Sequence, residues 1–144
     1  MPDTSALGNI TEAKVLAALI ESGYIVSKPF GDGHKYDLII DDGVTLRRVQ
    51  CKTGRLKSGC VVFNAYSVAG NSNGKRQGYK GAADVFGVYC PDNQQVYLVP
   101  VDEVGTCDTL LRVEQTLNNQ QKRVRWARDY ELAVLSPQNS NTRV

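Results

Sequence analysis

The sequence predicts one α+β domain built on a mixed central β-sheet with a helix packed against it. Three observations carry this. An amphipathic helical stretch lies near the start, and short β-branched and aromatic runs separated by turn residues follow it. The 144 residues suffice for one real core and are too few for two comfortable ones. At 42% hydrophobic and 22% charged, the composition is that of an ordinary globular chain, so fibrous and disordered classes are set aside. The domain is expected over residues 1–135, with the polar tail "SPQNSNTRV" (136–144) disordered.

The helix is "LGNITEAKVLAALIESGY", with Asn9 or Thr11 as its cap and Gly23 as its stop. A short strand, "YIVSKPF", and a loop, "GDGHK", come next. "YDLII" is a second strand, "DDG" a hairpin turn and "VTLRRVQCK" a third strand. "CVVFNAYSV" reads as another. Residues 69–81, "AGNSNGKRQGYKG", are glycine-rich and too long for a bare hairpin turn, which predicts a loop. "ADVFGVYC" and "QVYLVPV" are two more strands joined at "PDNQ". Beyond Val104 the pattern weakens to an Asn/Gln-rich connector and a strand or short helix around Trp126.

The net charge of +2 argues for no partner by itself, but its distribution is uneven. Basic residues crowd three stretches: Arg47 to Lys57, Lys75 to Lys80, and Lys122 to Arg128. Such clusters are either local phosphate-binding patches or solvated faces. Four cysteines without a CxxC pair, and one histidine, make a poor zinc set and leave a zinc or thiol protein disfavoured. No signal peptide and no run of about 18 apolar residues is present, so reduced cysteines and a cytoplasmic location are expected.

Several residues break the apolar pattern. Wound at about 100° per residue, the helix gathers Ala13, Val15, Leu16, Ala17, Leu19 and Ile20 on one broad face, and Glu12 falls inside it. A carboxylate there is paired, capped or bound to a cation, or else it belongs to a first turn and complements the helix dipole. In "YDLII", Asp37 stands where a β-branched residue would suit a strand better. In the third strand Gln50 and Lys52 share one face and Val49 and Cys51 the other. A hairpin between these strands can bring Asp37 beside Gln50 and Lys52. Such a group suits metal-assisted phosphodiester hydrolysis: Mg²⁺ needs one or two carboxylates plus a substrate phosphate, and a lysine orients or deprotonates the attacking water. The alternative is a structural Lys–Asp pair between neighbouring strands.

"GNITEAK", "YDLII" and "VQCK", in that order, resemble the PD-(D/E)-XK nuclease superfamily, whose core runs αβββαβ in a restriction-endonuclease-like fold. With "VYCPDNQQVYLVPV", the chain is most similar to the small group I intron-encoded homing endonucleases of that fold, over roughly residues 8 to 101. The resemblance implies Asp37 as the central metal ligand, Lys52 as the catalytic lysine and Glu12 as the helix carboxylate. Gln50 takes the place of the usual acidic residue and Tyr36 that of the motif's proline. A neutral amide oxygen can coordinate Mg²⁺ or hold its water, more weakly than a carboxylate.

The implied activity is Mg²⁺-dependent cleavage of double-stranded DNA at specific sites, with Mn²⁺ as a substitute ion, by a homo-oligomer (dimer or tetramer). A chain this small offers too little surface to read a long site alone. The loop at 70–80 then becomes a DNA-reading arm, or else a solvated loop. Asn71, Asn73 and Gln77 would face base edges, and Lys75, Arg76 and Lys80 phosphates, while Arg55 and Lys57 track the backbone. Subunit contacts are expected after Gly105, at Leu110–Leu111 and Trp126, unless those residues close the core. The rival readings are a Holliday junction resolvase or restriction-type nuclease and, from another class, a catalytically silent DNA-binding module.

Overall fold

Asp3 starts the first helix, earlier than the sequence suggests. In the computed structural model, which describes residues 3–68, 75–115, 123–133 and 135, α1 runs Thr4–Glu21 and Asp3 Oδ1 accepts the Ala6 amide at 2.7 Å. Asn9 and Thr11 are therefore interior residues, not caps. The helix ends at Ser22, and Gly23 follows with φ of 101°, the left-handed value that glycine adopts at little cost. The buried stripe is narrower than expected: Thr11, Val15 and Leu19, one turn apart. Ala13, Ala17 and Ile20 face outward.

A five-stranded sheet has the order β1 (Ile25–Ser27), β2 (Leu38–Asp41), β3 (Leu46–Thr53), β8 (Val85–Cys90), β9 (Gln95–Pro100). Only β3 and β8 run parallel, so the sheet is mixed, as expected. The β2–β3 turn forms where "DDG" predicts it. Asp42 Oδ1 accepts the Val44 and Thr45 amides at 2.8 Å, and Gly43 takes φ of 95°.

Both faces of the sheet are covered. Against α1 lie Leu38, Ile40, Val49, Val85 and Tyr89, packed with Val15 and Leu19. On the opposite face Phe86, Val88, Cys90, Tyr97 and Val99 meet Val61, Phe63 and Leu111. This explains why β8 is buried at all six positions and reads as an unbroken apolar run. Gly87 lets α1 approach β8: a Cβ there would lie 2.7 Å from Val15 Cγ1.

Val61, Phe63 and Leu111 belong to a second sheet, ordered β10 (Asp108–Arg112), β5 (Cys60–Asn64), β4 (Arg55–Lys57). Sequence reading foresaw neither β4 nor β10, and its strand "CVVFNAYSV" is split. β5 ends at Asn64, and β6 (Ser67–Val68) pairs instead with β7 (Arg76–Gln77) in a short hairpin. Gly54 makes the bend from β3 into β4 possible, because a Cβ there would come within 2.9 Å of Val61 Cγ1. Among the described residues α1 is the one α-helix. Among the described residues of the crossover from β3 to β8, where the resembled core has its second helix, stand β4 to β7 and a turn before β8 in which the Ala82 and Ala83 amides both donate to the Tyr79 carbonyl. A bidentate Arg48–Asp84 pair then fixes the entry to β8, and the guanidinium holds the Asp84 carboxyl below the usual range.

Leu111 is in the core and Leu110 points out, half exposed; Trp126 bridges to Arg112 ahead of a short 3-10 helix, Ala127–Tyr130. The expected tail at 136–144 lies outside the described residues. All four cysteines are free. No helix among the described residues is long and apolar enough to cross a membrane.

Candidate active site

Strand pairing between β2 and β3 frays at Asp37, and this is what frees its carboxylate. The Asp37 amide donates to the Val49 carbonyl at 2.8 Å, and Asp37 Oδ2 then accepts the Cys51 amide at 2.8 Å. The side chain thus takes an acceptor's place where the ladder stops, and the carboxylate is pinned beside the Gln50–Cys51 segment. Burial, the largest influence, pushes the Asp37 carboxyl above the ordinary aspartate range; the Cys51 amide opposes this and the nearby Glu12 charge adds to it. The Cys51 thiol is pushed up as well, chiefly by burial, and stays protonated at neutral pH.

Glu12 is mid-helix, so the first-turn explanation for it fails. Its neighbour Thr11 is buried, and the two hydroxyls of Thr11 and Thr53 meet at 2.6 Å, fastening α1 to the end of β3. With Thr11 turned into the sheet, Glu12 faces the rim. There it forms an ion pair with Lys28, whose ammonium remains largely in solvent. Glu12, Lys28 and Asp37 share a cleft of about 210 Å³ that Pro29, Gly31, Asp32, Gly33, His34 and Tyr36 also line.

Lys52 follows Gln50 by two residues and shares its face of β3. Its ammonium donates to the Tyr66 carbonyl at 3.0 Å and the Tyr79 hydroxyl at 3.1 Å, and lies 4.8 Å from the centre of the Tyr79 ring. That ring packs edge-on against Phe86 in the core, so the lysine is held by a rigid partner. Lys52 reaches Asp37 through its charge, which favours the ionised carboxylate, and not through a bond. Gln50, half-buried, donates weakly to the Cys51 carbonyl at 3.4 Å. The structure therefore brings Glu12 and Asp37 together at one cleft and sets Gln50 and Lys52 on the strand beside it.

Arg76 stacks over Tyr66 at 4.2 Å, and Gln77 accepts from Lys35 at 3.2 Å, so the β6–β7 hairpin adjoins both Lys52 and the cleft loop. Lys75 and Lys80 are exposed next to it. Arg55 and Lys57 lie on exposed β4 and do not line the cleft. Asn71 and Asn73 fall outside the described residues. Part of the basic clusters has structural work: Arg48 pairs with Asp84, and Arg125 caps the Glu103 carbonyl at 2.7 Å.

Sequence reading missed Lys28, Thr11 with Thr53, and Tyr79. The available signals were a lysine interrupting "YIVSKPF" and a lone tyrosine between glycines in "GYKG".

The donors suit a hard divalent ion. Two carboxylates whose charges oppose each other meet in one cleft, and Gln50 brings an amide oxygen to the adjoining strand. Among the described residues no group of three or more His, Cys, Asp or Glu forms a closed metal cage. A carboxylate pair instead suits Mg²⁺, which keeps waters and takes ligands from a substrate phosphate.

A search of curated protein sequences finds no match. Among solved structures, the chain is similar to the bacterial homing endonuclease I-Ssp6803I, with a TM-score of 0.71 and 26% identity over 90% of this chain and 89% of that one. The profile of the PD-(D/E)XK endonucleases matches residues 2–133, a span that takes in α1, both sheets and the cleft, and the chain belongs to that family.

Proposed function

We propose that the chain is a Mg²⁺-dependent, site-specific double-strand DNA endonuclease of the homing type. The observation that carries this is the meeting of Glu12 and Asp37 in one cleft at the end of the strand that bears Lys52. Glu12 and Asp37 would hold the ion, with the Gln50 amide oxygen as a weaker ligand or a hold on its water. The bound ion would polarise the scissile phosphodiester and lower the pKa of a water.

The protein's own groups do the rest. Asp37 is oriented by the Cys51 amide, so its second oxygen is presented to the cleft without a rotamer search. Glu12 is held at the rim through Thr11. Lys52 carries donor hydrogens on a side chain fixed by Tyr66 and Tyr79, ready to orient the attacking water and offset charge on the pentacoordinate transition state. Around them Lys75, Arg76 and Lys80 would meet phosphates and Gln77 a base edge, with Arg55 and Lys57 along a more distant stretch of backbone. A homo-oligomer, dimer or tetramer, would supply the second active site that a double-strand cut requires. Reduced cysteines accord with a cytoplasmic enzyme.

The substrate class is decided by offering the protein two substrates with Mg²⁺: a plasmid carrying a candidate intron insertion site, and a synthetic four-way junction. A homing enzyme cuts the plasmid at one place and leaves the junction whole. Cleavage of the junction alone would make it a resolvase. Binding without cleavage of either would favour the silent DNA-binding module.

A further inference from the structure

The loop at residues 29–36 supplies much of the cleft lining, and between its Pro29 and Gly31 stands an aromatic ring with no protein to cover it. Phe30 is 99% exposed, more than any other large hydrophobic side chain among the described residues. Isolated exposed hydrophobics are common on surfaces, but this one stands on a built platform. Gly31 and Gly33 take φ of 87° and 81°, which folds the loop back on itself. The His34 ring nitrogen meets the Phe30 carbonyl at 2.7 Å, and the His34 ring lies against Tyr36, with centres 6.1 Å apart. Lys35 ties the far end of the loop to Gln77 on β7. The loop is thus braced at its tip, its base and its flank, and its side faces Glu12 and Asp37 across the cleft.

We propose that Phe30 is a stacking wedge, a ring that inserts against a base step of the duplex DNA next to the scissile phosphate. This rests on the nuclease reading of the same cleft. A substrate phosphate drawn to Glu12 and Asp37 brings the neighbouring base step towards the loop on which Phe30 sits between the cleft-lining Pro29 and Gly31. The base stack is the flat apolar surface that duplex DNA offers there, and apolar wedges unstack such steps at modest cost, least at flexible pyrimidine–purine steps. Lys28 and Lys35 lie within five residues of Phe30 in the chain and put positive charge on the same loop. Contacts of His34, Lys35 and Tyr36, not packing of the Phe30 ring, brace the loop, so the ring is presented to an incoming partner without prior rearrangement of the core.

The test begins with a duplex selected from a random library by cleavage with the native protein and Mg²⁺. On that duplex, with Ca²⁺ in place of Mg²⁺, 2-aminopurine is placed at successive positions around the cut. Fluorescence and affinity are then read for the native protein, Phe30→Ala and Phe30→Trp. The native protein should raise the signal severalfold at one position within a few bases of the cut. Phe30→Ala should abolish that rise and weaken binding by roughly tenfold, with an unchanged melting temperature because the ring is uncovered. Phe30→Trp should restore both. An undiminished signal with Phe30→Ala overturns the proposal. So does a change in sedimentation with no change in the DNA signal, which would assign the ring to a second copy of the chain. If the native protein cuts no library member, the nuclease reading itself fails, and the wedge falls with it.

Discussion

Replacing Lys28 with methionine should tighten divalent-metal binding by about five- to tenfold. In the cleft the Lys28 ammonium already serves as the counter-charge of Glu12, and its field also reaches Asp37. The Glu12 bond raises the lysine's pKa, so the competing charge persists across the neutral range. A divalent ion taking Glu12 would lie about 5 Å from that ammonium, and in a water-like dielectric the repulsion is about 1.7 kcal/mol. Salt screening brings it towards about 1 kcal/mol. Lys28 is 61% exposed and Glu12 28%, so losing their ion pair should cost stability only about 0.2–1 kcal/mol. Methionine keeps the length of the stem. Mn²⁺ titration by calorimetry without DNA reads the affinity directly, free of any cleavage step, and Lys80→Met serves as a charge-matched control on an exposed residue away from the cleft. If Lys28→Met binds Mn²⁺ no more tightly than the native protein, Lys28 does not compete for the carboxylates.

Asp37→Asn should raise the melting temperature at pH 7 while abolishing cleavage. The Asp37 carboxyl is raised on folding, so over the window above the ordinary aspartate range the folded chain binds more protons than the unfolded one, and stability falls as pH rises. The gain should vanish below about pH 4, where both states are protonated; a series of melts from pH 3 to 8 would show it, and an equal gain at every pH would contradict it. Gly87→Ala should destabilise the domain by about 1–3 kcal/mol, because the new methyl would meet Val15 Cγ1 at 2.7 Å and Val49 Cγ1 at 3.1 Å. Adding Val15→Ala should return part of that loss in urea unfolding, and strictly additive losses would show that the two sites do not touch.

The parts legible in the sequence were those with long-range consistency. β8 is apolar at every position because both its faces are covered, and "DDG" supplies its own turn through Asp42. Glu12 and Asp37 were visible as breaks in otherwise apolar patterns, and both do line the cleft. What stayed hidden depended on partners far along the chain. β4 and β10 are short strands whose pairing with β5 no local pattern announces, and only Thr109 and Leu111 of β10 turn inward. The start of α1 was misplaced because Asn9 and Thr11 have the chemistry of caps, whereas the true cap, Asp3, precedes a less apolar first turn. Lys52 was expected beside Asp37 from strand alternation. Strand alternation announces neither the Cys51 amide that holds the Asp37 carboxylate nor Tyr79, 27 residues beyond Lys52, that holds its ammonium.

The most direct test is single-turnover cleavage of duplex DNA with Mg²⁺ by the native protein, Asp37→Ala and Lys52→Ala, with DNA binding measured in parallel in Ca²⁺. The native protein should cut, and each variant should lose about 10²–10⁴-fold in rate while still binding DNA. A native protein that binds duplex DNA and never cuts it, or either variant cutting at the native rate, would contradict the assignment of this cleft as the catalytic centre.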